Sequence, residues 1–578
     1  MRTPRLGRRA WRAAIGRLAY LAGTVASTVG LTRAEERLAT AARGRGYDRS
    51  IRPRLHAIQA LVDAERPPED EHSTYLRRCL EADRELDAYL QDGNGVHNAL
   101  RLHAHLAEKL DNQNHARERW ERVLAQEGDS PRIETAFHLL LTYRKLGRFQ
   151  DAVDLLESLE PRVRSSDRVQ KVERSIRRRV AMQQGAARVR RVIMEPVDGR
   201  VQTPDLHGAL GQLGTPAGLR ERLVPVLERC AMLTGRGVID LRQQRHDAEF
   251  QRVLDQQWPA NPPTIISCVG FGWSGSGAVS DLLRDRLRVQ EPYPPPELLL
   301  FRAGWGNTPL TKVVHDVQGG TLNLADVVDA LLTSVLGLAP HGIDGHRFEF
   351  ARRKSALGHL QHNLDEAYRL VAACDRLVDG LAAAVSQGRA STRIVETMVS
   401  LFLQRSLCLG TLGEGGGVML DNAVHPRAVR VLDVVPSSLV IAVTRDPRDQ
   451  FASRYLARRT AMGTLEKEAG RFVDSQRQIL EGFLTVLEAP SRAIRSVRFE
   501  DIVLDDSARQ DLLDWVGVEP AEPTPQGDAR AFRPEVSARN VGIHRDLADG
   551  GELDRILEAL QPLHEAIAAR SRGSATAH

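Results

Sequence analysis

The feature that most constrains the fold is a glycine-rich turn between an apolar run and a helical segment. The run 264–269 is rich in β-branched residues and predicts a buried strand. The segment 278–287 has the apolar spacing of a helix, and the stretch from Gly270 to Gly277 separates the two. Such a turn directs backbone N–H groups and a helix N-terminus at an anion. The order predicts an α/β domain with a phosphate site.

The glycine pattern alone leaves several identities open for this turn. A nucleoside-triphosphate loop of the Walker A type needs lysine and then serine or threonine where the chain has Ser276 and Gly277, which argues against it. A dinucleotide-binding fingerprint does match from Gly270, with Glu291 in the position of the acidic residue that follows. A turn that binds nothing is the remaining structural alternative.

A second motif predicts a second anion site. The apolar run 438–443 predicts another strand, which leads into Arg445-Asp-Pro-Arg-Asp449 and then a helix over 450–456. An arginine at the end of a buried strand offers a planar fork for a phosphate group. Ser453, eight residues after Arg445, would complete the site with its hydroxyl. A capped turn with surface arginines is the structural alternative.

Together, the two motifs resemble those of sulfotransferases that use 3′-phosphoadenosine 5′-phosphosulfate (PAPS). The phosphosulfate loop of that family ends in S-G-T-T or S-G-S-S, and here the corresponding stretch runs from Ser274 to Gly277. The family's 3′-phosphate motif is R-D-P-R-D followed by a serine, which matches Arg445 to Ser453. The segments 418–425, 497–503 and 537–545 resemble further parts of the family pattern, so the resemblance covers roughly 262–570.

The resemblance implies a parallel, P-loop-type α/β sheet and a sulfuryl transfer from PAPS to a hydroxyl of a carbohydrate, lipid or peptide. PAPS is then the co-substrate, an adenine nucleotide and an acceptor are the partners, and no metal is expected. A Rossmann-type dinucleotide enzyme and a non-catalytic nucleotide- or protein-binding protein of the same fold are the alternatives. The implied nucleotide-binding residues are Gly272, Ser274, Gly275, Ser276, Gly277, Ala278, Arg445, Ser453 and Arg539.

The chain departs from the family pattern at the residue before Ser274. The family places lysine or arginine there to stabilise the leaving phosphate, whereas this chain has Trp273. Loss of a preorganised cation removes transition-state stabilisation, so catalytic competence is in question. Lys312 and Arg302 are substitutes on position alone. Trp273 could stack on an acceptor ring, but packing against the turn is the commoner outcome for such a residue and is the expectation here. Gly277 also stands where a second hydroxyl residue is usual.

Two residues are candidates for the base that accepts the proton of the acceptor hydroxyl. Glu297 follows a run of prolines that could hold it at the mouth of a cleft, and it is the first choice. His315, expected at the end of a strand, is the second choice. Each residue taken singly is more often structural than catalytic.

The front half of the chain predicts helices. Residues 35–185 have helical apolar spacing, and two stretches offset by 36 residues, matching Ala116 to Ala152, resemble tetratricopeptide repeats. Such a domain would either bind a protein or peptide partner in a groove or serve as a scaffold. A helical connector over 186–262 follows, and then the α/β domain over 263–570 with a helical insertion at 321–410.

The net charge of +5 is concentrated at the N-terminus. Seven arginines precede Glu35, so the rest of the chain carries −2, which argues against nucleic-acid binding. The basic helical segment 1–34 contains an uncharged run, Leu18 to Leu31, that is too short to span a bilayer. Docking on the next domain is favoured over peripheral membrane contact. The five scattered cysteines, without zinc spacing, fit a reducing, cytoplasmic setting, and the excess of arginine over lysine suggests a bacterial genome.

Overall fold

The structure is a computed structural model. It describes residues 51–64, 69–91, 97–128, 130–195, 203–270, 272–290, 309–338, 348, 351–353, 355–360, 363–409, 416–421, 438–458, 465–487, 493–521, 532–547 and 551–573. The basic segment 1–34 and Glu297 therefore lie outside the described residues. The described residues divide into two compact units, one ending at Val180 and the other beginning at Ala181.

The first unit is helical throughout its described residues. The first eight helices among the described residues are α1 (Ile51–Asp63), α2 (Glu69–Gln91), α3 (His97–Lys109), α4 (Gln113–Glu127), α5 (Ile133–Leu146), α6 (Phe149–Ser158), α7 (Pro161–Arg164) and α8 (Asp167–Met194). Helices adjacent in sequence pack on one another from α2 to α6. Ala116 in α4 and Ala152 in α6 are both fully buried, as small residues between close helices should be. The tetratricopeptide assignment itself stays a prediction.

The second unit combines a parallel sheet with many helices. Its helices are α9 (Thr203–Gln212), α10 (Ala217–Thr234), α11 (Ala248–Asp255), α12 (Ser276–Arg286), α13 (Leu310–Gln318), α14 (Leu324–Ala330), α15 (Ala356–Leu360), α16 (Leu364–Ser386), α17 (Thr392–Leu407), α18 (Pro447–Arg458), α19 (Leu465–Leu487), α20 (Phe499–Leu504), α21 (Asp506–Val516), α22 (Pro534–Ser537) and α23 (Glu552–Gly573). Within the range 321–410, for which a helical insertion is predicted, a short strand precedes α14 to α17.

The strands of the described part of the chain form two sheets. They are β1 (Val238–Asp240), β2 (Thr264–Gly270), β3 (Val289–Gln290), β4 (Thr321–Asn323), β5 (Gly417–Asp421), β6 (Ser438–Thr444) and β7 (Ala493–Arg498). β1 and β4 pair as an antiparallel ribbon, and the other five lie in the order β3-β5-β2-β6-β7, all parallel. Side chains of β2 and β6 are almost all buried, which explains their continuous apolar sequences. A mostly helical chain with a five-stranded parallel sheet is compatible with the predicted α/β sulfotransferase-like domain.

The strand order predicts where a ligand would bind. From the central strand β2 the chain crosses to β3 at one edge of the sheet, whereas β6, which neighbours β2, is followed by β7 at the other edge. In open parallel sheets ligands bind outside the carboxyl ends of the strands where the winding reverses. Dinucleotide-binding sheets place the second strand of the fingerprint directly beside the first. Here β5 separates β3 from β2, which argues against the Rossmann interpretation of the glycine-rich turn.

Among the described helices, none combines the length and the apolar character that crossing a bilayer requires.

Candidate functional site

The turn after β2 owes its shape to residues with left-handed backbone angles. Gly272, Trp273 and Gly275 have φ values of +73°, +60° and +89°. Glycine adopts such angles without steric cost, whereas a tryptophan does so at a cost of about 1 kcal/mol or more. Successive residues of this kind make a concave array of backbone N–H groups that suits an anion. The sequence-predicted turn therefore has the backbone geometry of an anion site.

Gly275 has no room for a side chain. A Cβ atom added there would lie 2.2 Å from Cδ2 of Phe499, the first residue of α20. The same aromatic ring lies 4.9 Å from the guanidinium carbon of Arg445. Phe499 thus packs against both predicted motifs, a contact that no sequence pattern indicates.

The helix after the turn begins with the remaining predicted residues. Gly275 caps α12, Ser276 is its first residue, and Gly277 and Ala278 complete its first turn. Ser274 and Ser276 are buried, and the space around Gly277 is open to more than 4 Å. The first N–H groups of a helix lack partners within the helix and carry a partial positive charge. These residues therefore share one helix N-terminus at the carboxyl end of β2.

Arg445 follows β6 and is only 5% exposed. Its Nη1 donates a hydrogen bond to the carbonyl oxygen of Trp273 at 3.1 Å, and its Nη2 donates to the carbonyl oxygen of Asn540. The two sequence motifs are therefore in direct contact, on adjacent parallel strands. One side chain links the turn after β2, the end of β6 and a C-terminal 3₁₀ turn over Ala538–Asn540.

Carboxylates surround Arg445. Burial lowers the pKa of its guanidinium below the usual range, while Asp449, Glu500 and Asp446 act in the opposite direction. Because an arginine titrates far above neutral pH, the side chain stays cationic. A buried cation beside three carboxylates is thus part of a charge network.

Two polar atoms of the second motif are buried and lack a hydrogen-bond partner among the described residues. They are the Nε of Arg445 and the Oγ of Ser453. Buried polar atoms are almost always satisfied by protein, water or ligand, so each such atom requires a reason. An anionic oxygen would satisfy a guanidinium N–H and a hydroxyl together. They belong to the two residues for which the family resemblance implies contact with the 3′-phosphate.

Two aspartates of the Arg445–Asp449 motif hold it in place through hydrogen bonds. Asp446 precedes α18 and accepts hydrogen bonds from the backbone N–H and the guanidinium of Arg448. Burial alone would raise the pKa of Asp446, but these bonds hold it below its usual range. Asp449 is 2% exposed and accepts bonds from the N–H of Gly542 at 2.6 Å and of His544 at 3.0 Å. The C-terminal loop is therefore tied to α18.

Gln450 provides a further link that the sequence did not predict. Its Nε2 donates to the carbonyl oxygen of Gly272, and also to Oε1 of Gln476 at 3.4 Å. Its position directly after R-D-P-R-D was the only available signal, since a buried amide in a helix has no distinctive sequence pattern.

The other predicted residues have mixed outcomes. Arg539 lies on the exposed 3₁₀ turn whose last residue, Asn540, contacts Arg445. Glu297 and Arg302 lie outside the described residues. Trp273 is 44% exposed, so a large part of its side chain is open to solvent, and the packing of its ring against the turn stays a prediction.

His315 is not at the end of a strand, so that part of its prediction is wrong. It lies on an exposed face of α13, a helix that packs against β4, α14 and α17. The run Val313-Val314, read as a strand, belongs to the buried face of this helix, together with Leu310 and Val317. Lys312, on the same helix, pairs with Asp316 at 2.7 Å and with Asp326, so its charge is already neutralised there.

Comparisons with known proteins give little beyond these observations. No family model matches the chain, and no curated protein matches it. One solved structure that is similar in part is the sulfotransferase STF9 from Mycobacterium avium, at 16% identity and a TM-score of 0.27, over 68% of this chain and 95% of that one. A TM-score this low carries no argument, so the interpretation of the site rests on the residues above.

Proposed function

We propose that the second unit is a sulfotransferase that uses PAPS. The observation that supports this most is the contact between the two motifs, in which Arg445 donates to the carbonyl of Trp273. One nucleotide with phosphate groups at both the 5′ and 3′ positions needs two anion sites close together. Arg445 and the turn after β2 lie at the carboxyl ends of the adjacent strands β2 and β6, where open parallel sheets bind their ligands.

In this proposal each end of the nucleotide has its own partners. The 5′-phosphosulfate would bind the N–H groups of the turn and the N-terminus of α12, with the hydroxyls of Ser274 and Ser276. The 3′-phosphate would bind Nε of Arg445 and Oγ of Ser453, the two buried atoms without a described partner. Arg539 would contact the nucleotide from the C-terminal loop, which Asp449 holds in place.

The reaction would be an in-line displacement at sulfur. The acceptor oxygen forms a bond to sulfur while the bond from sulfur to the bridging 5′-phosphate oxygen breaks, and 3′,5′-adenosine bisphosphate leaves. Glu297 is retained as the base that takes the hydroxyl proton, with His315 as the second choice. Negative charge grows on the bridging oxygen, where backbone N–H groups would stabilise it in the absence of a lysine at position 273.

The departure at Trp273 favours a second candidate, a protein that binds the nucleotide without transferring the sulfuryl group. An exposed tryptophan stands where the family has a cation, and it holds a strained backbone angle. Strain of this kind persists only where the surrounding structure enforces it, and it clusters at active sites and ligand-binding turns. Binding and transfer therefore need separate tests.

Calorimetry with 3′,5′-adenosine bisphosphate tests the shared site. We expect Arg445→Ala to weaken binding at least about 100-fold and Ser453→Ala to weaken it about 10-fold, since each removes a hydrogen bond to a charged group. Arg477→Ala and Ser475→Ala, exposed positions on α19, are matched controls that should bind like the unchanged chain. Tighter binding of NAD than of the bisphosphate would overturn the proposal.

Transfer is tested with sulfur-labelled PAPS and a mixture of carbohydrate, lipid and peptide acceptors. Labelled product that depends on Ser453 and rises in Trp273→Lys supports the enzyme. If the unchanged chain and Trp273→Lys both bind the bisphosphate tightly but neither forms labelled product, the result supports the non-catalytic candidate instead.

A further inference from the structure

The first unit contains a cluster of histidines and glutamates that the proposed function does not use. His105 and Glu108 are one helical turn apart on α3, and Glu134 and His138 are one turn apart on α5. His105, Glu134 and His138 each present one potential metal-ligand atom, and these three atoms lie within 4.8 Å of one another. Side chains from two helices thus converge on one point.

The separations are close to those of a bound ion. Nε2 of His105 lies 3.5 Å from Oε1 of Glu134. A tetrahedral site with metal–ligand distances of about 2.0–2.1 Å has about 3.3 Å between ligand atoms. The closest pair therefore already has nearly the required spacing, and the third ligand needs to approach by no more than about 1.5 Å, the difference between that spacing and the 4.8 Å limit.

Glu108 orients both imidazole rings. Its carboxylate lies 3.0 Å from Nδ1 of His138 and 3.4 Å from Nδ1 of His105. Trp120 donates from its indole nitrogen to the same carboxylate at 3.1 Å. With Nδ1 of both histidines engaged, Nε2 is the nitrogen that each ring has left for a metal. A carboxylate behind each ligating histidine is the usual support of a zinc site.

Other contacts hold Glu134, the third ligand, and cover one face of His138. Glu134 holds Arg101 with Oε2, which leaves Oε1 on the side of His105. The indole of Trp120 stacks on the ring of His138, with 5.0 Å between centroids and 14° between planes. The ligand side chains are thus held by neighbours on their outer sides, as a preorganised site requires.

We propose that His105, Glu134 and His138 bind one divalent first-row transition-metal ion, with Glu108 as a positioning residue. Two imidazoles and one carboxylate suit zinc above all, with a fourth position open for water. Because none of the three ligand residues is fully buried, water can reach that position. The site lies in the first unit, and the proposal does not rest on the sulfuryl transfer proposed for the second unit.

Zinc calorimetry on the full chain, with metal removed beforehand, tests the site. We expect one ion per chain, and at least about 100-fold weaker binding in His105→Ala and His138→Ala, which each lose a ligand. His56→Ala, an exposed histidine on α1, is the matched control and should bind like the unchanged chain. Absence of saturable binding, or equal affinity in the control and the ligand variants, would overturn the proposal.

The role of Glu108 needs a readout that loss of fold would not imitate. In Glu108→Gln we expect about 10- to 100-fold weaker zinc binding and an altered visible spectrum of the cobalt-loaded protein, since the ligand field follows the orientation of the rings. Glu157→Gln, exposed on α6, is the control. Circular dichroism of every metal-free variant should match the unchanged chain. An unchanged affinity and cobalt spectrum in Glu108→Gln would show that it positions neither histidine.

Discussion

The loop after β2 and the loop after β6 are in direct contact but are held in different ways. The loop after β6 is fixed by buried charge, with Arg445 at its start and Asp449 clamping the C-terminal loop. The loop after β2 is shaped by backbone geometry, with Trp273 exposed and strained. The motif that resembles the family most closely is therefore the one embedded in a network. The two departures from the family pattern are in the loop after β2, where Trp273 is exposed and the space around Gly277 is open.

Removal of the buried cation should give the largest effect. Arg445→Met leaves Asp449 and Glu500 without their central positive charge, and breaking a buried ionic network costs about 3–5 kcal/mol. We expect the free energy of unfolding of the second unit to fall by this amount in urea titrations. Arg477→Met, exposed on α19, is the control. A loss below about 1 kcal/mol would mean that the network does not hold this loop.

Two glycines at the end of the loop after β2 should respond to alanine in opposite ways. Gly275→Ala forces a Cβ to 2.2 Å from Phe499 at a φ of +89°, so we expect a loss of about 3 kcal/mol. Gly277→Ala enters open space inside α12 and should gain up to about 1 kcal/mol. Thermal unfolding of both variants measures the difference. Equal stability of the two would show that the turn and Phe499 can separate freely.

The sequence predicted the elements of the site better than the links between them. The strands β2 and β6 followed from apolar β-branched runs, and α12 and α18 from helical spacing, because these signals are local. The contacts made by Phe499 and Gln450 depend on strand order, which local patterns do not encode. The valine pair before His315 was read as a strand because two β-branched residues carry the same signal in a strand and on a buried helix face.

The histidine cluster escaped sequence analysis for the same reason. H-x-x-E from His105 and E-x-x-x-H from Glu134 are common helical spacings, and neither makes a site alone. The packing of α5 beside α3 and α4 supplies the missing information. Cysteine spacing, on which the metal-free expectation partly depended, has no bearing on a site of histidines and carboxylates.

Acid should lower the stability of the second unit near the loop after β6. His564 on α23 is buried, which lowers the pKa of its imidazole to about 4, although Asp446 acts to raise it and Arg498 to lower it. The neutral ring is favoured in the folded state, so its stabilisation is complete above about pH 6.5, the ordinary histidine value. It is lost as the pH falls through about 4.

We expect a loss of about 3 kcal/mol across that range, measured as the unfolding free energy at each pH. In His564→Gln the dependence on pH should flatten, because glutamine does not titrate. His315→Gln, on an exposed face of α13, should retain it. The same slope in both variants would assign the acid sensitivity to other groups.

The smallest effect should come from relieving the strain at Trp273. Because the ring is 44% exposed, its removal costs little packing, and the backbone angle of +60° becomes the main difference between replacements. Trp273→Gly should be more stable than Trp273→Ala by about 1 kcal/mol, since only glycine adopts that angle freely. Thermal unfolding of the two variants measures this gap. If alanine proves as stable as glycine, the turn relaxes without a ligand, and its anion-binding geometry has to be imposed by the nucleotide.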